Sequence, residues 1–308
     1  MRKYITRRLL MLIPVILGVT FIVFSIMYMT PGDPAQMILG ESAPESAVKA
    51  LREQMGLNDP FLVQYGRFIK NAVMGDFGRS YSTKREVFTE IFARFPATLQ
   101  LASVGVLLAV LIGIPVGIIS ATKQYSLFDS VSMILALLGV SMPNFWQGLM
   151  FILLFSVTLG WLPSGGYGSF KHFILPALTL GTSTAAVIAR MTRSSMLEVI
   201  RQDYIRTARA KGVEEKKVIL KHALKNALIP IITVVGLQFG ALLGGAVLTE
   251  TVFSWPGIGR LLVDAIKQKD TPMVQATVVF IAVTFSIVNL AVDILYAYVD
   301  PRIKSQYK

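Results

Sequence analysis

Residues 203–230 read DYIRTARAKGVEEKKVILKHALKNALIP. Apolar runs bound this basic segment on both sides, at 173–193 and at 227–248. Across 190–226 ten basic residues (Arg190, Arg193, Arg201, Arg206, Arg209, Lys211, Lys216, Lys217, Lys221 and Lys225) face four acidic ones (Glu198, Asp203, Glu214 and Glu215). A charge run is usually a solvated face. Between two apolar runs it also orients the chain, because Lys and Arg collect in cytoplasmic loops.

The rest of the chain fits that frame. It has 308 residues, 54% of them hydrophobic and 16% charged, with a mean hydropathy of +0.60. Soluble domains average about 45–50% apolar and roughly 25% charged residues. One soluble core cannot absorb this excess, so the expected solvent is a lipid bilayer. The absence of Cys excludes disulfides and thiolate metal sites. The net charge of +12 reads as loop charge on a membrane protein, with no nucleic acid partner.

A spanning helix needs about 20 mostly apolar residues. Six stretches qualify, at about 9–29, 97–120, 131–157, 173–193, 227–248 and 276–299. Pro143 interrupts the third, and Thr and Ser weaken the fourth. The first follows MRKYITRR as a signal peptide would, but no small-x-small cleavage site follows it, so it reads as a retained span. Residues 1–8 carry four basic residues and the tail 300–308 three, while 30–96 carries eight basic and eight acidic and 250–275 three of each. The expectation is an all-α membrane protein with six transmembrane helices and both termini in the cytoplasm.

The organisation expected is 1–30 for the first span and its cytoplasmic start, 31–95 for an extracellular insert, and 96–299 for the remaining spans. In the insert, PESAVKALREQMG (44–56) reads as a short helix, opened by Pro44 and stopped by Gly56. FLVQYGRFIKNAVMGDFG (61–78) reads as a second, amphipathic helix, with Phe61, Leu62, Tyr65, Phe68, Ile69, Ala72 and Val73 at helical spacing. Two roles stay open for it, a cap on the bundle or a docking surface for a soluble partner.

Within the basic segment, Gly212 breaks one helix-favouring stretch, and VEEKKVILKHALKNAL starts another. In the restart Val218, Ile219, Ala223, Leu224 and Ala227 form an apolar stripe opposite Lys216, Lys217, Lys221 and Lys225. Helix, glycine turn and helix, followed by Pro230 entering a span, make a bracket that could carry a push from a partner into the bundle.

This bracket resembles the EAA loop of ATP-binding-cassette (ABC) importer permeases. Arg206-Thr207-Ala208 stands where the family's Glu-Ala-Ala is usual, Gly212 is kept, and the closing Leu-Pro reads Ile229-Pro230. The longer spacing from Gly to Pro is similar to the dipeptide, oligopeptide and nickel branch. MRKYITRRLLMLIPVILGVTFIVFSIMYMTPGDP (1–34), MGLNDPFLVQYGRFIKNAVMGDFGRSYST (55–83), GVSMPNFWQG (139–148) and LTETVFSWPGIGRLLVDAIKQKDTPMVQA (248–276) resemble the first of that branch's two permease subunits.

The resemblance implies a type I importer permease fold in a bacterial inner membrane, with an EAA-like coupling loop over 200–226. It implies that Arg206, Thr207, Ala208, Arg209, Ala210, Lys211 and Gly212 dock an ATPase. The implied partners are a second homologous permease subunit, two ABC ATPase subunits that bind ATP and Mg, an extracellular solute-binding protein and membrane lipid. Dipeptides or oligopeptides are the expected substrates; nickel chelates and glutathione are alternatives within the same architecture.

The sequence has no G-x-x-x-x-G-K-[S/T], so no phosphate-cradling loop of its own is expected, nor any catalysis or metal site. The two His, His172 and His222, read as structural. Polar residues in spans usually face protein or a water-filled path. The path-lining candidates are Asn144 and Gln147 after Pro143, Gln238 between Gly236 and Gly240, and Asn289 with Asp293, four apart on one face. A secondary transporter or channel would need ionisable groups near the midplane, and Asp293 is off-centre. A scaffold with no path would leave the bracket unexplained. At the end of the fifth span, Glu250 precedes SWPGIG (254–259). There Trp255 suits an interface belt and Pro256, Gly257 and Gly259 force a turn; a re-entrant gate and an ordered outer loop both fit.

Overall fold

A computed structural model describes residues 2–40 and 42–299, and the tail 300–308 lies outside them. Among the described residues, five helices are long and apolar enough to cross a bilayer. They lie within α1 (Arg2–Met29), α5 (Val87–Thr122), α8 (Phe170–Ile200), α11 (Leu224–Gly245) with the turns that lead into it, and α14 (Thr271–Val299).

The run read as a third span is a bent pair. α6 (Leu127–Ser141) and α7 (Asn144–Phe151), the latter continued as a π-helix over Ile152–Thr158, meet at 105°. The cause is local. Pro143 has no N–H to donate and excludes helical backbone from the residue before it, and Met142 accordingly sits at φ −80°, ψ 128°.

α5 and α8 form the centre of the bundle. Small residues bring their backbones together: Gly113 lies against Ala185 and Ile188, and Gly117 against Ala189 and Thr192. α11 meets α14 the same way. Gly236, Gly240 and Gly244, one per turn, receive Val292, Phe285 with Val288, and Ile281. The small residues around Gln238 thus serve close helix contact, as the sequence indicated.

The helices overrun the membrane. α5 has 36 residues, about 54 Å at 1.5 Å per residue, against about 30 Å of hydrocarbon. Its first turns, over 87–95, therefore belong to the insert. There Val87 and Ile91 pack with Ile258, Leu261, Ala265 and Met273. The insert holds α2 (Pro34–Leu39), α3 (Glu45–Gln54) and α4 (Phe61–Val73), the last two where the sequence placed them. Gly56, at φ +65°, closes α3. α12 (Val247–Val252) and α13 (Ile258–Lys267) lie at this insert end. At the opposite end α9 (Asp203–Ala210) and α10 (Glu215–Lys217) form the basic bracket.

Candidate functional site

The bracket is built from the apolar face inward. Ile205 of α9 is fully buried with Met196, Val218, Ile219, Ala223 and Ala227, and Ala208 and Val213 pack against that cluster. Gly212 sits at φ +77°, a left-handed position that a side chain disfavours. Its N–H donates to Arg209 O at 2.9 Å, and the Val213 N–H donates to Ala208 O at 3.3 Å. These are the two bonds of a Schellman close, with Val213 packed back on the helix.

Two side-chain ties then hold the turn. Arg209 donates to both carboxylate oxygens of Glu215, at 3.0 and 2.7 Å. Asn226 Nδ2 donates to the Tyr204 hydroxyl at 2.7 Å, joining α9 to α11. A π-helix over Val218–Ala223 connects α10 to α11. α9 is thereby fixed to a membrane-crossing helix, and its outer face presents Arg206, Thr207, Ala210, Lys211 and Gly212 to solvent. Of the seven residues expected to couple, only Ala208 is partly buried; Arg209 is at the surface but tied to Glu215. Ala208 and Arg209 hold the bracket together.

At the insert end a second site is organised around Glu250, which the sequence marked only as the end of a span. Its carboxylate is fully buried. It accepts from the Thr98 hydroxyl at 2.6 Å, the Gly259 N–H at 2.8 Å and the Arg260 N–H at 3.1 Å. The last two open α13, where an anion is favoured by the free N–H groups. Thr98 in turn accepts from Ile258 N at 2.9 Å. Burial pushes the Glu250 carboxyl above its ordinary range, against the bonds from Thr98, Arg260 and Gly259.

Gly257 is required because the Glu250 carboxylate fills the space its Cβ would take. Trp255 is not in an interface belt. It is fully buried, donates Nε1–H to Ala97 O at 2.9 Å, and meets Tyr167 and Phe173 edge-on at 4.8 and 4.5 Å. SWPGIG is therefore an ordered corner that locks α5 to α13.

A strap from the insert closes on the same end. Asp270, also buried, accepts from the Ser80 hydroxyl and from the Tyr81 and Ser82 N–H groups at 3.1 and 3.3 Å. Burial, with Asp270 alongside, pushes the Tyr81 hydroxyl up to about 12.

The polar residues of the spans differ in their surroundings. Gln147 is buried and donates Nε2–H to Thr182 Oγ1 at 2.9 Å. Asp293 pairs with Arg8 of α1 at 3.0 Å. Asn289 is partly buried, with Oδ1 lacking a partner. Asn144 and Gln238 are partly exposed. His172 Nδ1 meets Ser169 Oγ at 2.7 Å just inside α8, which fits its structural reading.

One pair went unread in the sequence. Asp129, buried in the first turn of α6, receives Arg193 Nε and Nη2 at 2.6 and 2.7 Å. Ser126 caps the same helix by accepting from Asp129 N. The spacing Ser-x-x-Asp was the available signal. Arg193 keeps part of its side chain exposed, so removing it costs less than the about 3–5 kcal/mol of a fully buried pair, but it leaves the buried Asp129 charge without its guanidinium. Arg193→Ala is therefore expected to lower the thermal unfolding midpoint in detergent, and Asp129→Asn with Arg193→Gln to recover much of the loss. An unchanged midpoint in the single variant would show the pair to be dispensable.

A broken span, close-packed helices and a helical bracket fixed to a span define a multi-pass membrane transport component. The comparisons specify it. Residues 113–305 match the family described as "Binding-protein-dependent transport system inner membrane component", and residues 1–102 match its counterpart, "Binding-prot-dependent transport system membrane comp, N-term". The chain belongs to this family of ABC importer permeases.

The chain is 50% identical to the dipeptide transport system permease protein DppB of Alkalihalophilus pseudofirmus, over 99% of this chain and 100% of that one. It is 47% identical to the glutathione transport system permease protein GsiC of Escherichia coli strain K12, over 99% of each. Among solved structures, an inward-facing MetNI methionine ABC transporter matches with a TM-score of 0.59 at 22% identity, covering 68% of this chain and 96% of that one. The type I permease fold expected from the sequence is thus the fold observed.

Proposed function

We propose that this permease forms half of the translocation path of an ATP-driven importer of dipeptides or short oligopeptides. The carrying observation is the dipeptide permease relative, matched over its whole length. In this reading a second homologous permease supplies the other half of the path. Two ATPase subunits bind ATP and Mg; one seats on the outward face of α9 and the other on the matching loop of the second permease. Their closure pushes α9, and the ties at Gly212, Glu215 and Asn226 pass the push into α11. The basic excess around α9 supports a cytoplasmic position for this end and for both termini. The polar upper face of the insert, where α3 exposes Glu45, Lys49 and Glu53, receives the solute-binding protein. Asn144, Gln238 and Asn289 border the path. Gln147 braces α7 against α8, and Asp293 holds α1 through Arg8.

The glutathione relative supports a second substrate of the same chemical kind, a short peptide with free carboxylates. Uptake by the chain assembled with its partner subunits and binding protein separates the two. Labelled dipeptide is expected to accumulate and to be displaced by excess dipeptide more readily than by glutathione; preferential displacement by glutathione would reassign the substrate. The isolated chain is expected to hydrolyse no ATP, and hydrolysis that a substitution in this chain abolishes would overturn the division of labour.

A further inference from the structure

We propose that α4 is a membrane-embedded helix of the insert, and that its outward apolar edge, with Leu62 and Val73 exposed, contacts the acyl chains of the leaflet on the insert side. The inference begins with depth. Phe61 packs edge-on against Phe21, Phe24 and Tyr28 at 5.8, 5.4 and 5.1 Å. Tyr65 meets Phe21 and Phe24 at 5.4 and 5.5 Å. All three partners lie inside the apolar stretch Arg8–Met29 of α1.

The Tyr65 hydroxyl reaches further still, to Leu17 O at 3.2 Å and Thr20 Oγ1 at 3.1 Å. Leu17 precedes Met29 by twelve residues, about 18 Å along a helix. The polar layer of a bilayer is only about 5–7 Å thick on each side. A helix that touches α1 at this depth lies beside hydrocarbon.

The faces of α4 agree with that position. One edge carries Phe61, Tyr65, Phe68 and Ala72 onto α1 and its neighbours. The polar edge is used within the insert: Gln64 Nε2 donates to Leu57 O and Asp59 O at 3.0 and 2.8 Å, and Arg67 donates to Met55 O at 3.0 Å and pairs with Asp59. The remaining edge is apolar and uncovered, with Leu62 71% and Val73 83% exposed.

This edge continues a band already turned outward on the spans. On α1, the helix that α4 packs against, Ile22 and Ile26 are exposed. A chain of rings from Phe68 through Phe77 to Phe88 and Phe92, at 6.4, 6.2 and 4.6 Å, extends it to α5, where Phe88 and Phe92 are exposed. These four rings are all Phe and carry no polar tip, so an apolar surrounding suits them. An amphipathic helix with its apolar edge toward the acyl chains and its polar edge toward the rest of the insert has this pattern.

The chain has no Cys, so single thiols report position directly. Leu62→Cys, Val73→Cys and Lys70→Cys variants, each assembled with partner subunits in phospholipid vesicles, would carry an environment-sensitive fluorophore. At 62 and 73 the expected result is blue-shifted emission, quenching by lipids with nitroxide on the acyl chain, and loss of quenching by aqueous iodide. At 70, on the polar side, iodide quenching should persist. If 62 and 73 are as open to iodide as 70, the helix lies in water and the proposal fails. It also fails if they become protected only when the solute-binding protein is added, since the face is then a protein-docking surface.

Discussion

Gly212→Val is expected to abolish uptake while the chain still inserts in the membrane. Gly212 lies at φ +77°, where a residue with a Cβ costs about 1–2 kcal/mol and a β-branched one more. Space is not the obstacle, since nothing lies within 4 Å of the added Cβ. The strain is relieved by opening the turn, which breaks the Val213 to Ala208 bond and moves the end of α9 away from the cluster around Ile205. The face expected to meet the ATPase then loses its fixed relation to α11. Membrane level should be normal, ATPase co-purification weakened, and uptake near background. Gly212→Asn should retain most uptake, because Asn tolerates this conformation. Lys216→Ala should be close to the parent protein, since an isolated exposed charge contributes little. Normal uptake in Gly212→Val with none in Lys216→Ala would show that charge, not geometry, is what the loop supplies.

Gly257→Val should have the largest effect on stability. The new side chain takes the place of the Glu250 carboxylate. Three buried donors then lose their acceptor: the Thr98 hydroxyl and the N–H groups of Gly259 and Arg260. Each unsatisfied group costs about 1–3 kcal/mol, so the three together cost about 3–9 kcal/mol, at the upper end of what a single substitution does. The variant is expected to accumulate poorly and to unfold at a clearly lower temperature in detergent. Ser254→Gly, three residues earlier, is the control. Ser254 lies at φ +53°, so glycine relieves strain there, and the Arg260 bond to Ser254 uses only the backbone carbonyl. A Gly257→Val protein as stable as its parent would show that the Glu250 carboxylate can be accommodated elsewhere at no cost.

Much of the architecture was legible from local patterns. The five unbroken spans, the breaks at Pro143 and Gly212, α3 between Pro44 and Gly56, and the apolar stripe at Val218, Ile219, Ala223 and Ala227 follow from composition, periodicity and backbone stereochemistry. These act over a few residues.

The rest depended on which distant segments meet. Trp255 has the composition of an interface residue, yet it is buried because Ala97, 158 positions away, offers it a carbonyl. Glu250 has the appearance of a span terminus, yet it organises the corner because α5 brings Thr98 and α13 brings its first N–H groups. Asp129 finds Arg193 across 64 positions. Gln147, a candidate for the path, finds Thr182 on the facing helix, to which it donates. Hydropathy and helical period, which are local sums, determined by themselves that this chain is a membrane helix bundle with a basic bracket. Only the tertiary structure decided where its buried polar groups find partners, because in a low-dielectric interior each such group is settled by the single neighbour within hydrogen-bond reach, and that neighbour is chosen by how the helices pack.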